Sequence, residues 1–438
     1  MSLSSLKDRL AGAKSYAVSF GEVVKINATV ITAHGLNVSI SDMVKIVSNE
    51  TNKDIVGMVT EIDGKTFFIT PFSFVEGFAS GDKVFLDSTG MNIPVGDSLL
   101  GRVVDPFMRP IDGKGAIKGS KLSPIMKAPI AAMKRGMIDE VFSVGVKSID
   151  GLLTCGKGQK LGIFAGSGVG KSTLMGMIVR GSNTPIKVVA LIGERGREVP
   201  EFIEKNLGGD LTNTVLIVAT SDDSPLMRKY GAFAAMSVAE FFKDKGLDVL
   251  FIMDSVTRFA MAQREIGLAL GEPPTSKGYP PSALTLLPQL MERAGKEEGK
   301  GSITAFFTVL IEGDDMSDPI ADQSRSILDG HIVLSREMTD FGIYPPVHIL
   351  NSASRVMNDI ISVEHFKAVR KFRKLYTLLK ENETLIRIGA YTKGSDEELD
   401  EAIDKKTKME EFISQGATYQ EDFNTSSNTL IELMQVNS

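Results

Sequence analysis

The sequence contains a single cysteine, Cys155, and no tryptophan among its 438 residues. One thiol cannot form a disulfide within the chain, so we expect a reducing compartment and interpret Cys155 as a small apolar core residue. No segment approaches the ~18 apolar residues that cross a bilayer. The N-terminus lacks the charged start, apolar run and cleavage site of a secretory signal. We therefore expect any membrane association to be peripheral.

An excess of positive charge is also missing, because the formal net charge is −6. This balance argues against nucleic acid or an anionic membrane as the dominant partner. The hydrophobic content of 42% and the charged content of 24% are typical of a soluble globular protein. The length allows about three domains with a sizeable core.

A glycine-rich segment, residues 165–173 (AGSGVGKST), directly follows the apolar run 160–164. This order predicts a strand, a phosphate-binding loop and a helix start, because glycines let backbone N–H groups and the helix dipole converge on an anion. The predicted nucleotide-binding residues are those of the loop and the first helical turn: Gly166, Ser167, Gly168, Val169, Gly170, Lys171, Ser172 and Thr173.

Within that segment, Lys171 is predicted to reach the β- and γ-phosphates of a nucleotide, and Ser172 to hold Mg²⁺. The motif departs from the usual pattern by one methyl group, since Ala165 stands where a glycine leads. A flexible strand-helix turn is the alternative. The Lys-Ser pair in register behind an apolar strand favours the nucleotide loop.

Residues 1–88 are predicted to form a small β domain with a short helical lead. Leu3, Leu6 and Leu10 recur at helical spacing, as a partner-binding stripe or a docking face. Alternating residues from Val24 onward, and a hairpin joining 55–62 to 66–70, indicate a compact barrel. No clusters of aromatic residues lie among the basic residues of this region, which disfavours an oligonucleotide-binding barrel.

From about residue 90, apolar strands alternate with helical stretches, which predicts a mostly parallel sheet with crossovers. The predicted strands are 160–165, 187–193, 214–220, 248–253, 303–311 and 331–335. Ligands of such sheets bind beyond the carboxyl ends of the strands. Glu194 and Asp254 stand at two of these ends.

Asp254 is predicted to belong to the Mg²⁺ shell, since this cation prefers a carboxylate together with waters and phosphates. A helix N-cap is the alternative role for an aspartate after a strand. Glu194 is a candidate to polarise the attacking water, or else a solvated turn charge. The strand between Lys171 and Asp254 favours catalysis, because an additional-strand ATPase carries its carboxylate there. Arg195 and Glu198 are then expected to orient Glu194. Arg195 is also predicted to act in catalysis, and Glu198 to bind the metal.

Several signatures support a resemblance over nearly the whole chain. The loop and the run 193–199 (GERGREV) resemble the hexameric family that includes the catalytic subunits of rotary ATP synthases, and 345–354 (PPVHILNSAS) fits that family's signature. Segments 311–322 and 327–336 resemble its type III protein-export ATPases, the flagellum-specific members most of all. Shorter matches lie at 150–154, 279–282, 287–288 and 292–295.

The resemblance implies residue roles beyond what spacing gives. Glu194 matches the family's catalytic carboxylate, and Lys171, Ser172 and Asp254 match its phosphate and Mg²⁺ ligands. Tyr344 matches the aromatic residue that packs against adenine, although a tyrosine between glycine and proline is more often a surface turn residue. Arg355 matches the arginine that reaches a neighbouring subunit's γ-phosphate. His331 and His348 match no catalytic role and are expected to be packed or hydrogen-bonded.

The family architecture implies an α/β fold: an N-terminal β-barrel (1–88), a RecA-like P-loop ATPase core (89–361) and a C-terminal helical domain (362–438). Apolar residues at helical spacing agree with the last, and the acidic run 396–404 is interpreted as a solvated helix face. Residues 264–283, rich in glycine and proline, predict a long loop. Similar proteins place such a loop toward the ring centre.

The expected function is hydrolysis of ATP with Mg²⁺ in a homohexamer that energises export of unfolded flagellar proteins at the cytoplasmic face of the inner membrane. The resemblance implies further partners: an adaptor at the N-terminus, a central stalk protein, an export gate, and export substrates with their chaperones; no nucleic acid is expected. Three alternatives stay open: a virulence-type secretion ATPase, a rotary synthase subunit and an RNA-translocating hexamer.

Overall fold

The computed structural model describes residues 19–87, 90–119, 121–311, 315 and 317–435. The described residues form two compact units, which divide between Met91 and Asn92. The predicted leucine stripe at Leu3, Leu6 and Leu10 lies outside the described residues, as do positions 88 and 89. The division of the chain into three domains therefore stays a prediction.

The first unit contains a closed β-barrel, with strands in the order β1-β2-β5-β4-β3-β6. Its strands are β1 (Phe20–Ile26), β2 (Ile31–His34), β3 (Met43–Val47), β4 (Asp54–Asp63), β5 (Thr66–Pro71) and β6 (Lys83–Asp87). Alternate residues point inward, so that Val44, Ile46, Val59, Phe67 and Ile69 fill the interior. The predicted barrel is confirmed.

The predicted hairpin is formed by β4 and β5, which pair from Gly57 opposite Pro71 to Asp63 opposite Thr66. Gly64 in the turn has φ +60°, a conformation that glycine adopts without steric cost. The alternation predicted from Val24 onward is only partly correct. A bulge shifts the register after Val23, so Val23 is buried and Val24 is half exposed.

The second unit contains thirteen further strands in the part of the chain that the structure describes. They are β7 (Asn92–Val95), β8 (Val103–Val104), β9 (Lys121–Pro124), β10 (Val141–Phe142), β11 (Cys155–Gly156), β12 (Lys160–Ala165), β13 (Ile186–Glu194), β14 (Thr214–Thr220), β15 (Val249–Asp254), β16 (Gly295–Lys296), β17 (Ser302–Leu310), β18 (Gly330–Val333) and β19 (Ala353–Ser354).

The same unit contains thirteen α-helices among the described residues. They are α1 (Lys147–Leu152), α2 (Lys171–Gly181), α3 (Glu198–Glu201), α4 (Pro225–Asp244), α5 (Val256–Ala269), α6 (Pro281–Met291), α7 (Pro319–Ile327), α8 (Arg336–Asp340), α9 (Met357–Ile360), α10 (Val363–Glu381), α11 (Glu383–Arg387), α12 (Glu397–Ile413) and α13 (Phe423–Met434). None of the described helices is long and apolar enough to cross a membrane.

The main sheet has the strand order β19-β18-β12-β17-β15-β13-β14-β8, and β16 pairs with β17. Every pairing on the path from β18 to β8 is parallel, so the carboxyl ends of β12, β13, β15 and β17 meet at one edge. All six predicted strands are present, each within one or two residues of its expected ends. The long loop predicted at 264–283 is shorter, because α5 continues to Ala269 and α6 begins at Pro281.

The C-terminal helices pack on the same hydrophobic core as the sheet. Phe372 and Leu375 of α10 lie in one cluster with Phe412 of α12 and Leu430 of α13. The acidic run begins α12, where Asp396 is the N-cap and Leu399 faces the core. Cys155 is buried as expected, and burial raises the pKa of its thiol well above the ordinary value.

Candidate active site

The phosphate loop connects β12 to α2 at the carboxyl edge of the sheet. Gly168 and Gly170 have φ +77° and +101°, in the left-handed region that favours glycine. They turn the chain so that α2 begins at Lys171 with its N-terminus at the loop. The backbone there is a ready anion site.

The remaining loop residues divide between anchoring and exposure. Val169 is buried and fixes the loop to the core, whereas Ser167, Ser172 and Thr173 are exposed toward solvent. Ala165, the departure from the usual motif, is the fully buried last residue of β12. Its methyl group belongs to the strand and leaves the loop open.

Lys171 does not extend into solvent, contrary to what a loop lysine suggests. Its Nζ pairs with Asp254 Oδ1 and lies 3.4 Å from Glu194 Oε1, with only 11% of the side chain exposed. Burial acts to lower the pKa of Lys171, but the charges of Asp254 and Glu194 outweigh it and raise the pKa above its ordinary value. The ammonium therefore stays charged where phosphates would bind.

Glu194 ends β13, where the register against β14 shifts after Ile192. Gly193 has φ +77°, and a Cβ there would lie 2.7 Å from Arg258 Cβ, so only glycine fits. Burial, and then the charge of Asp254, raise the pKa of Glu194 above its ordinary value, while Lys171 opposes them. A carboxylate with a raised pKa is a better proton acceptor.

Asp254 ends β15 and is almost fully buried. Its Oδ1 accepts a hydrogen bond of 2.7 Å from Thr308 Oγ1 on β17. The N-cap of α5 is Ser255, whose hydroxyl accepts from the N–H of Arg258. The alternative role of Asp254 as a helix cap is therefore excluded, and its metal role stays a prediction.

Arg195 and Glu198 lie at the mouth of the same cleft. Their side chains face each other at 3.8 Å, and Arg195 is 67% exposed. Glu198 also acts to raise the pKa of Glu194, which places it beside the catalytic candidate. Their predicted roles in catalysis and metal binding stay predictions.

The loop and the strand ends surround a cleft of about 580 Å³. An adjoining cavity of about 320 Å³ brings Ser172, Glu194, Glu198 and Asp254 together. These hard oxygen donors suit Mg²⁺, but no three His, Cys, Asp or Glu side chains among the described residues form a metal site alone. The donor set therefore fits a Mg²⁺ ion whose remaining ligands are phosphate oxygens and water.

Tyr344 lies close to the phosphate loop and is 52% exposed. The next residues fix its position: the ring of Pro346 lies 3.7 Å from where a Cβ on Gly170 would stand. The N–H of Gln415 donates 2.6 Å to the carbonyl of Tyr344. An exposed aromatic face near the loop suits an adenine ring, as the resemblance implies.

Arg355 lies near the amino-terminal end of β12, opposite the carboxyl edge that carries the phosphate loop. It follows β19, in which Ser354 is opposite Gly330, and its N–H donates to the carbonyl of Asp329. The N–H of Asp329 in turn donates to the carbonyl of Lys160 at the start of β12. The phosphate loop follows the other end of that strand. Five residues at ~3.3 Å each separate the two edges. Arg355 therefore does not reach the phosphate loop of its own chain.

Three site residues escaped the sequence prediction. Arg258 lines the cleft, and its Nε is buried without a hydrogen-bond partner among the described residues. Arg336 Nη2 donates 2.9 Å to the carbonyl of Ser167. Gln415 holds Tyr344. Only Arg258 carried a usable signal, since it lies four residues after Asp254 at a strand end.

The two histidines without a predicted role are packed. His331 meets Phe164 edge to face, and His348 Nδ1 accepts from the N–H of Asn351. Burial lowers the pKa of both. The expectation for these residues is confirmed.

Comparison with known proteins connects this geometry to a family. The nucleotide-binding domain of the ATP synthase alpha/beta family matches residues 145–354, and the C-terminal domain of the type III secretion ATPase EscN matches residues 361–432. The first match covers the phosphate loop and the strand ends that carry Lys171, Glu194 and Asp254. The second match covers α10, α11 and α12 and most of α13.

Curated relatives extend the match to the whole chain. The flagellum-specific ATP synthase of Helicobacter pylori is 67% identical over 99% of this chain and 100% of its own. Its counterpart in Bacillus subtilis is 48% identical over 95% of each chain. The assembled ATPase EscN from the enteropathogenic E. coli type III secretion system superposes with a TM-score of 0.89 and 43% identity, covering 95% of this chain and 100% of that chain. The chain is therefore an ATPase that belongs to the flagellum-specific group of the ATP synthase alpha/beta family.

Proposed function

We propose that this chain hydrolyses ATP with Mg²⁺ in a homohexameric ring and energises export of unfolded flagellar proteins. The observation that carries the proposal is the meeting of Lys171, Glu194 and Asp254 at one sheet edge beside the phosphate loop. These are a phosphate-binding cation, a proton acceptor and a hard metal ligand. Phosphoryl transfer needs all three in one place.

The chemistry follows from positions and charges. When ATP binds, the ammonium of Lys171 leaves its two carboxylate partners and contacts the β- and γ-phosphates. There it stabilises the negative charge that develops on the oxygen between them during the reaction. Glu194 accepts a proton from a water whose oxygen bonds to the γ-phosphorus. The bond from the γ-phosphorus to the bridging oxygen breaks, and ADP leaves with the electron pair. When bound, Mg²⁺ neutralises phosphate charge, with Ser172 and Asp254 as its protein ligands.

A ring accounts for the position of Arg355. The guanidinium stands at the sheet edge away from its own phosphate loop and donates only to the carbonyl of Arg325 among the described residues. An exposed arginine there is available to a neighbouring copy. The relative EscN is described as an assembled ATPase, which supports a hexamer for this chain.

Further partners follow from the same relatives. EscN has been solved in complex with its central stalk EscO, and we propose a stalk protein of that kind here. An adaptor at the N-terminus, an export gate, and export substrates with their chaperones complete the proposed set. The proposed location is cytoplasmic, with peripheral attachment to the inner membrane at the export apparatus.

A virulence-type secretion ATPase is the second candidate, because EscN and a Xanthomonas type 3 secretion system ATPase, 45% identical, resemble the chain too. The 67% identity to flagellum-specific relatives favours the flagellum. The test is deletion of the gene, followed by complementation with the unchanged gene or with Glu194→Gln. We expect flagellar subunits in the culture medium only with the unchanged gene. Export that continues after deletion, or with Glu194→Gln, would contradict the proposal.

A further inference from the structure

A second cavity, of about 690 Å³, lies on the flank of the phosphate loop. Ser167, Arg258 and Leu310 line both this cavity and the nucleotide cleft, so the two spaces adjoin. None of the residues predicted to act in catalysis lines the second cavity. The side chains that line it therefore have no role in the hydrolysis step proposed above.

Positive charge dominates among the described side chains that line this cavity. Arg258, Arg264 and Arg336 line it together with Lys277, and Asp318 is the acidic residue among its lining side chains. Lys277 already pairs with Asp315 at 2.7 Å and lies 3.9 Å from Asp318. The three arginines have no carboxylate partner within the part of the chain that the structure describes.

The arginines are held in place without being neutralised. The guanidinium of Arg264 lies 5.4 Å over the ring of Tyr279, and Arg336 donates to the carbonyl of Ser167. The Nε of Arg258 is buried and has no hydrogen-bond partner among the residues that the structure describes. Like charges that share a cavity repel one another, and a buried donor without an acceptor costs free energy. Both costs are removed when an oxyanion enters.

The lining and the position of the cavity indicate which anion it binds. Planar guanidinium groups match phosphate oxygens in pairs, whereas an apolar or cationic occupant would leave them unsatisfied. ATP bound in the adjoining cleft, as proposed above, would release inorganic phosphate next to Ser167 and Arg258, which line both spaces. We propose that this cavity binds inorganic phosphate after hydrolysis and is the site through which the product leaves. The proposal rests on the ATPase activity and goes beyond it by assigning a separate product site.

Arg264 is the residue to change, because it lines the product cavity and is absent from the lining of the nucleotide cleft. The variants are Arg264→Met, which removes the charge, and Arg264→Lys, which keeps the charge and loses the planar fork. Arg370→Met is the matched control, since Arg370 is an exposed arginine of α10 that also lies over an aromatic ring.

Two measurements use inorganic phosphate as the probe. The first is inhibition of steady-state ATPase by added phosphate at constant ionic strength. The second is equilibrium binding of radiolabelled phosphate with MgADP present, so that ADP covers the phosphate loop. We expect Arg264→Met to weaken both by about tenfold, as for the loss of one strong charged contact, with the KM for ATP within twofold. Arg264→Lys should lie between, and Arg370→Met should match the unchanged chain.

Unchanged phosphate affinity in Arg264→Met would overturn the proposal. A KM for ATP that rises in step with the phosphate constants would also overturn it, because Arg264 would then belong to the nucleotide site. The binding assay needs no turnover, so an inactive protein that still binds phosphate through Arg264 would contradict the proposed function alone. If Arg264→Met does not fold, Arg264→Lys decides, because the lysine keeps the charge on α5.

Discussion

The N–H of Gln415 donates a hydrogen bond of 2.6 Å to the carbonyl of Tyr344, and its side chain ties the same point to two other segments. Oε1 accepts from the N–H of Lys147 at 2.7 Å, and Nε2 donates to the carbonyls of Gly145 and Tyr419 at 2.8 and 2.7 Å. A buried glutamine after α12 thus joins the proposed adenine residue to the C-terminal helices.

The first prediction concerns the ring of Tyr344. Tyr344→Ala should raise the KM for ATP about tenfold and change kcat little, because an aromatic stack contributes about 1–1.5 kcal/mol to binding. Tyr344→Phe is the matched control and should resemble the unchanged chain, since the face and not the hydroxyl contacts adenine. Steady-state kinetics with ATP measure both. Equal losses in the two variants would contradict stacking.

The second prediction concerns the anchor of that ring. Gln415→Leu removes the partner of the N–H of Lys147 and of the carbonyl of Tyr419, and one of the two donors to the carbonyl of Gly145. The expected cost is about 1–3 kcal/mol for a buried group. We expect a lower Tm and a raised KM for ATP, with kcat less affected. Gln420→Leu changes an exposed glutamine of the same segment and should alter neither. A KM that stays unchanged while Tm falls would reduce Gln415 to a purely structural residue.

The third prediction separates two consequences of removing Lys171. Lys171→Ala should lower ATPase activity by at least about 10²-fold, the effect of losing one preorganised charge at a transition state. It should also destabilise the nucleotide-free chain, because Glu194 and Asp254 lose their shared cation, and breaking a buried pair costs about 3 kcal/mol. Chemical denaturation and ATPase assays measure the two effects. A second change, Asp254→Asn, should restore stability without activity, whereas recovered activity would contradict the assigned role.

The fourth prediction is a pH dependence. The pKa of Glu194 is raised above its ordinary 4.5 by burial and by Asp254, so the carboxylate takes up a proton at a higher pH than a free glutamate. A protonated acid cannot accept a proton from water, and kcat/KM should fall as the pH drops through this raised pKa. Glu194→Gln should bind MgATP and fail to hydrolyse it. An acid limb at or below 4.5, or loss of nucleotide binding in Glu194→Gln, would count against the assignment.

The fifth prediction tests whether Arg355 acts on a neighbouring subunit. Such an arginine contributes ~10³–10⁵ in rate, about 4–7 kcal/mol of barrier, so rings of Arg355→Ala alone should be nearly inactive. Rings of Lys171→Ala alone should be inactive as well. Mixed rings place an intact phosphate loop beside an intact arginine, and measurable ATPase should return. If mixed rings form and activity stays at the level of either variant, Arg355 does not act in trans.

The sequence by itself determined the elements and most of the chemistry. The phosphate loop, the hairpin at Gly64 and the strands ending at Glu194 and Asp254 all depend on local signals: left-handed glycines and apolar runs of fixed length. Family resemblance added Tyr344 and Arg355, which no local pattern identifies.

Only the tertiary structure decided which groups meet. Lys171 pairs with the carboxylates of both Glu194 and Asp254. Ser255, and not Asp254, is the N-cap of α5. Gln415 is 71 residues beyond Tyr344 in the chain, and Arg264 and Arg336 come from different helices. Contacts between groups so far apart in sequence depend on strand order and helix packing, because side-chain periodicity describes only the face on which a residue lies and not what that face contacts.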